Sequence, residues 1–325
     1  MKACVVIPTK NGGSLFQRVL QQALLQETSF SFEVLVVDSG STDQTLSVVA
    51  KSNARLLSVR AEDFQHGATR NFAVSNTEAE FVAFLTHDAL PANKFWLANL
   101  IAKMELHGDI AGAFGRHRAY PHCDPFTADE LERLFDHLKS LPAVHRIEDR
   151  ERYSSDIGYR QLLHFFSNNN SCLRKKVWEQ IPFPSVDFAE DQAWAQKVIE
   201  SGYAKVYADD ALVFHSHSFN TVETFRRAFD ESKAMKELFN YTLVPSRSFI
   251  FKNSLHQLKM DKGLIFKRKL VKTAPVCVLK RPLRVLAKQL GSYAGQNAHR
   301  VGDAAYLLSL DQSKKRNGKR VSAVR

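Results

Sequence analysis

Cysteine is scarce and scattered: Cys4, Cys123, Cys172 and Cys277 are the only four in 325 residues, and no two have Cys-x-x-Cys spacing. That argues against a thiolate zinc site and offers no disulfide framework, so a reducing compartment is expected. No stretch approaches the roughly 18 uninterrupted apolar residues of a membrane span. The apolar run before Pro8 is too short for a signal peptide, which adds to the expectation of a cytoplasmic protein. G-x-G-x-x-G is missing from the first strand-to-helix turn, which reads PTKNGG, and there is no P-loop; both disfavour a dinucleotide dehydrogenase. Internal repeats are absent. What remains is 44% apolar and 24% charged, an ordinary globular composition, long enough for one large domain or a domain plus an appendage.

The net charge of +11 is not spread evenly. Phe251 to Arg325 holds 18 Lys and Arg against 3 acids, whereas residues 1–250 hold 27 against 31. The basic character belongs to the C-terminal stretch, which suggests contact with an anionic surface. The front half has no basic face interleaved with aromatics, so nucleic acid is not the expected partner.

That front half alternates in the α/β manner. ACVVIPT, FEVLVVD, ARLLSV and EFVAFLTHD read as strands; the segment from a Ser14 N-cap, STDQTLSVVAKS and GATRNFAVSNT read as helices between them. Such alternation predicts a mainly parallel central sheet flanked by helices, with ligands outside the carboxyl ends of the strands. Thr9, Asp38 and Asp88 all fall at those ends. Asp38 and Asp88 are equally readable as turn or helix caps, a common use of Asp at such junctions.

Several blocks, in order, resemble the family 2 glycosyltransferases, and their bacterial rhamnosyltransferase branch in particular. They are VVIPTKNGG, VLVVDSGSTDQT, FQHGATRN, FLTHDALP, FGRHRAY, FFSNNNSCLRKKVW, FAEDQAWAQKVIESGY and ALVFHSHSF, spanning roughly residues 3 to 230. The resemblance implies a GT-A fold, a nucleotide-sugar donor, Mg²⁺ or Mn²⁺, and inversion at the anomeric carbon. By resemblance Asp191, after Glu190, aligns with the catalytic base, although both acids also suit a helix N-terminus. Asp88 aligns with the metal-holding end of an Asp-x-Asp whose first member is replaced here by Thr86. His217, preferred over His215, is implied as a further metal or diphosphate contact. Thr9 and Asp38 would line the nucleotide slot and Arg70 would reach donor phosphate. His66, Arg116 and Asn168 to Asn170 stay open between pocket and loop roles.

The expected organisation is a GT-A domain over 1–240, with a nucleotide-sugar half to about 110 and an acceptor half beyond. A basic helical extension, 241–325, follows, broken at Pro275 and Pro282 and disordered at KKRNGKR. It reads either as a membrane-interface segment or as helices packed on the domain. The expected activity is transfer of a sugar, L-rhamnose from dTDP-L-rhamnose by branch resemblance, to a glycan or lipid-linked glycan of a bacterial surface polysaccharide such as O-antigen. This would occur at the inner face of the plasma membrane. The alternatives are another donor, such as a UDP-hexose, or a GT-A domain that binds glycan without turnover.

Overall fold

Residues 3–9 are apolar on both alternating faces, which only a strand covered on both sides can satisfy. In this computed structural model, which describes residues 1–300 and 307–310, they form β1 (Ala3–Thr9) inside a nine-stranded sheet. The chain runs on through α1 (Gly13–Leu24), β2 (Phe32–Asp38), α2 (Thr45–Ala50), β3 (Arg55–Ser58), α3 (His66–Ser75), β4 (Phe81–Leu85) and β5 (Leu90–Pro91). Next come α4 (Trp96–Met104), β6 (Ile110–Arg118), α5 (Pro125–Lys139), β7 (Val144–His145), α6 (Arg150–Ser155), α7 (Ile157–His164) and β8 (Asn170–Arg174). Then α8 (Lys175–Trp178), α9 (Glu190–Glu200) and β9 (Ala204–Phe214) lead to α10 (Thr221–Phe239), α11 (Arg247–Lys267), α12 (Leu270–Thr273) and α13 (Pro275–Gln296).

Strand order is β3-β2-β1-β4-β8-β6-β9-β5, with β7 on β9. The first four strands are parallel, as the alternation predicts. Beyond β4 the sheet is mixed: β8 is antiparallel to β4 and β6, β5 and β7 are antiparallel to β9, and β6 and β9 are parallel. One face packs Val5 and Ile7 against Phe16 and Leu20 of α1 and Trp96 and Leu100 of α4. The opposite face packs Cys4 and Val6 with Val74 of α3, Phe135 of α5 and Trp194 and Val198 of α9. Each such large side chain contributes roughly 1.5–3 kcal/mol when fully buried. The expected Ser14 cap is not formed; α1 begins at Gly13, preceded by Gly12 with no side-chain cap.

Two compact units result. One comprises Met1–Cys123 and Ala128–Ser216; the other takes in Asp124–Thr127 and the chain from His217. In the second unit α10 and α13 lie backbone to backbone. A Cβ on Gly291 would stand 2.2 Å from the Phe225 carbonyl oxygen, and one on Gly295 2.2 Å from that of Phe229. Pro275 opens α13, as a proline at a first helical position can. Pro282, expected to break the segment, lies inside α13. A proline there costs a helix about 3 kcal/mol; the close packing of α10 on α13 offsets it. The KKRNGKR run lies outside the described residues.

Candidate functional site

At the ends of β1 and β2 two loops are tied together. Asn11, left-handed at φ 49, turns the chain into α1, and its N–H donates to Ser41 Oγ at 2.8 Å. Its own Oδ1 accepts from Thr42 N–H at 2.7 Å, and Gly12 N–H donates to Thr45 Oγ1 at 3.0 Å. Asp38, 2% exposed, accepts from the N–H groups of Gly40 and Ser41 at 2.8 and 2.9 Å and from the Ser41 hydroxyl. The turn-cap reading of Asp38 is therefore realised, and three of the roughly four lone-pair sites of a carboxylate are occupied. Thr9 is 3% exposed, and its hydroxyl is buried without a hydrogen-bond partner. A buried hydroxyl left in that state costs energy unless something else completes it.

Strand β4 stops at Leu85, and Thr86 to Asp88 form the turn beyond it, closed by Ala89 N–H donating to the Thr86 carbonyl at 3.0 Å. The Tyr120 hydroxyl donates to the Asp88 carbonyl at 3.0 Å. Pairing of β9 with β5 and β6 sets Phe214 opposite both Leu90 and Arg118, so the residues after Phe214 emerge beside Asp88. His215 N–H donates to the Arg118 carbonyl at 2.9 Å, and its Nε2 lies 3.6 Å from Asp88 Oδ1. Asp88, His215 and His217 each offer a ligand atom, all within 4.8 Å of one another. Both histidines, and not His217 alone, therefore offer a ring nitrogen near Asp88. One carboxylate with two imidazoles is a donor set suited to Mn²⁺ more than to Mg²⁺, which favours all-oxygen sites. Behind them the His117 ring stands 5.4 Å from that of His215, and burial holds its pKa well below the usual histidine range.

The acid pair opens α9. Ala189, left-handed at φ 58, precedes it, and Glu190 and Asp191 fill the first turn. Asp191 accepts from Asn168 N–H at 3.1 Å and from Gln192 N–H at 2.8 Å. Burial first, and the Glu190 charge second, push its pKa up to about 7. Glu190 accepts from Arg70 Nη1 at 2.7 Å and from Asn168 Nδ2 at 3.4 Å. Gly67 makes this approach possible, since a Cβ there would lie 2.5 Å from the Pro184 carbonyl oxygen. Arg70 was expected at the donor phosphate; its side chain is 4% exposed and its Nη1 stands 2.7 Å from Glu190. A guanidinium buried beside a buried carboxylate is held there by the cost of leaving either charge unpaired.

The Asn run resolves into two roles. Asn168 binds both members of the acid pair. Asn170 is fully buried, accepting from Trp96 Nε1 at 2.7 Å and donating to the Ala211 carbonyl at 2.8 Å. Arg116 joins Asp136 at 2.6 Å and Asp209 at 3.0 Å and is a structural bridge. His66 is exposed against the Phe64 ring. Sequence reasoning missed Lys205. It is fully buried, its Nζ donates to the carbonyls of Leu162 and Phe165, and it pins the segment that leads to Asn168. A lysine in an otherwise apolar strand, AKVYA, was the available signal.

The family model "Glycosyl transferase family 2" matches residues 4–185. Curated relatives include the O-antigen chain rhamnosyltransferase RfbN of Salmonella typhimurium, 35% identical over 71% of this chain and 71% of its own length. WbaN of Salmonella anatum, of the same description, is 28% identical over 70% of each. Among solved structures, a mannosyltransferase from Pyrobaculum calidifontis in complex with GDP-Man and Mn²⁺ aligns with a TM-score of 0.58 at 17% identity, covering 93% of this chain and 87% of that one. The first 349 residues of S. aureus TarS align at 0.50 and 20% identity, covering 92% of each. These likenesses are of fold.

Proposed function

The chain belongs to glycosyltransferase family 2, in its bacterial rhamnosyltransferase branch and with a GT-A fold, and from that premise we propose an inverting transfer of L-rhamnose from dTDP-L-rhamnose. The acceptor is a hydroxyl of a growing, lipid-linked O-antigen or capsule chain. The observation that carries the chemistry is Asp191: a half-buried carboxyl beside the buried Glu190, with a pKa pushed up to about 7, is matched to taking a proton at neutral pH.

In this reading Asp191 accepts the proton of the acceptor hydroxyl as its oxygen bonds to the sugar C1. The C1–oxygen bond to the diphosphate breaks on the opposite face, and the nucleoside diphosphate leaves with the electron pair. Glu190 and Arg70 position Asp191, and Asn168 holds it through its backbone N–H. Thr9 and Asp38 line the nucleoside slot. Asp88, His217 and His215 would hold Mg²⁺ or Mn²⁺, which when bound supplies positive charge to the departing diphosphate. The nucleotide-sugar half ends near residue 110 and the acceptor half near 240. No helix among the described residues is long and apolar enough to cross a membrane; the basic stretch from about 251 holds the enzyme on the anionic inner leaflet.

Rhamnose as the transferred sugar follows the rhamnosyltransferase relatives RfbN and WbaN, and dTDP as its carrier is part of the proposal. Incubation with a panel of nucleotide sugars, with and without EDTA, tests it. Release of dTDP from dTDP-L-rhamnose alone, suppressed by EDTA, is expected. Turnover of a UDP-hexose instead would replace the donor, and glycan binding without turnover of any donor would replace the enzyme reading.

A further inference from the structure

Between Phe251 and Arg300 the second unit carries twelve Lys and Arg and a single acid, Asp261. That acid is 2% exposed and closed off by Arg281 at 2.7 and 3.2 Å. The exposed surface of this stretch therefore holds no negative side chain. At the corner where α11, α12 and α13 meet, Leu264 and Leu270 close on Phe126 in a small apolar cluster. Their neighbours stay outside it: Phe266 is 84% exposed, Leu279 80%, Val271 63%, Leu283 61% and Val276 58%. On α13, Val276, Leu279 and Leu283 recur at helical spacing on one face, while Val285, Gly291 and Gly295 are buried on another. Lys267, Arg268, Lys269, Lys272 and Lys280 stand exposed among the apolar residues.

We propose that this corner, residues 266–283, enters an anionic bilayer. Phe266, Val271, Val276, Leu279 and Leu283 reach the acyl boundary while the interleaved cations meet lipid phosphates. The inference rests on the peripheral-membrane reading above and narrows it from a charged tail to a folded insertion face. Charge complementarity selects the occupant. A second copy of the chain would set this uniformly basic face against itself in a self-complementary contact. Nucleic acid would use the cations but gain little from exposed Leu and Val. A lipid interface takes both, with lysine stems lying along the apolar layer and their ammonium groups at headgroup level.

The test is flotation of the full chain with vesicles of phosphatidylglycerol and phosphatidylethanolamine, against phosphatidylcholine alone. Wild type should float with the anionic vesicles only. Phe266→Glu and Leu279→Glu, at positions too exposed to affect folding, should each lower partitioning at least about tenfold, since each withdraws a large apolar group from the interface. Leu279→Trp gives a second readout: its added fluorescence should be quenched by brominated acyl chains. Undiminished flotation of both Glu variants, or no quenching of the new indole, overturns the proposal. So does loss of flotation on deleting 311–325 when Leu279→Glu has no effect, or a dimer that Leu279→Glu dissociates while flotation persists. Transfer to a short soluble acceptor, assayed on the same variants, separates the two readings. Retained transfer with corner-independent flotation sinks only the insertion face; corner-dependent flotation without any transfer sinks only the enzyme reading.

Discussion

Replacing Asp191 by Asn keeps the shape of the side chain and removes its capacity to take a proton. With the carboxyl titrating near about 7, roughly half the molecules carry the base form at neutral pH. Losing a general base typically costs ~10² to 10⁴ in rate, so kcat should fall by that range while donor affinity is unchanged. The wild-type kcat/KM should rise with pH and level off above about 7, and the variant's profile should lose that limb. Stability offers an independent check. The unfolded carboxyl ionises near 3.8 and the folded one near about 7, so between these values the folded chain holds more protons. Its stability contribution is full below the unfolded value and is lost as pH rises through the folded one. Above that value the wild-type carboxylate is ionised in a site that disfavours its charge, whereas the amide carries none. Against it, the amide NH₂ must face one of the two N–H donors, losing a hydrogen bond worth about 1 kcal/mol. Asp191→Asn should therefore lose most of its rate and, at pH 8, be more stable than wild type. The assays are dTDP release and thermal melts across pH. Near-normal turnover by the folded variant, or a wild-type profile flat through neutrality, would refute the reasoning.

Asp88→Ala should abolish any Mn²⁺ dependence of nucleoside diphosphate binding, read by calorimetry with and without metal; a metal effect that survives would remove Asp88 from the ligand set. Arg70→Met should destabilise by about 3–5 kcal/mol, because it strands a buried carboxylate. Arg70→Met with Glu190→Leu should recover most of that loss in denaturant melts while staying inactive. Gly291→Leu should cost on the order of 3 kcal/mol, since its side chain would meet the Phe225 carbonyl oxygen head-on. A melt within 1 °C of wild type, which for a chain of this length is under about 1 kcal/mol, would contradict that packing.

The sequence made the parallel half of the sheet readable because β1, β2 and β4 are continuous apolar runs separated by helix-period segments. The mixed half was not readable in the same way. Strands β5 and β7 are two residues each, too short to carry a period, and exist through their partner β9. Pro282 read as a breaker because propensity is local, whereas the glycines that hold α13 against α10 act across 60 or more residues of chain. Site legibility divides similarly. Glu190-Asp191 and His215-x-His217 are local patterns, visible before folding. Asn168 touches the acids through a loop crossing that no spacing reveals, and the Arg70 ion pair was not legible because its partner lies 120 residues away.

The acid pair is unequal by construction, and this inequality makes the site chemically useful. Two adjacent carboxylates in one buried turn cannot both carry uncompensated charge. Arg70 answers the charge of Glu190 at 2.7 Å, whereas Asp191 receives only two backbone N–H groups. Dipoles favour the ionised form without cancelling its charge, so desolvation remains the largest influence on Asp191. Were Arg70 shared between both acids, Asp191 would stay ionised and be a weak base at neutral pH. Were Arg70 missing, the pair would compete for one proton. The left-handed Ala189 stands immediately before the pair, at the helix start. Successive helix side chains leave about 100° apart, so Glu190 meets Arg70 of α3 and the Asn168 amide while Asp191 meets the Asn168 backbone N–H. A base tuned to neutrality then follows from where a helix begins and which acid meets the cation, with no unusual residue required.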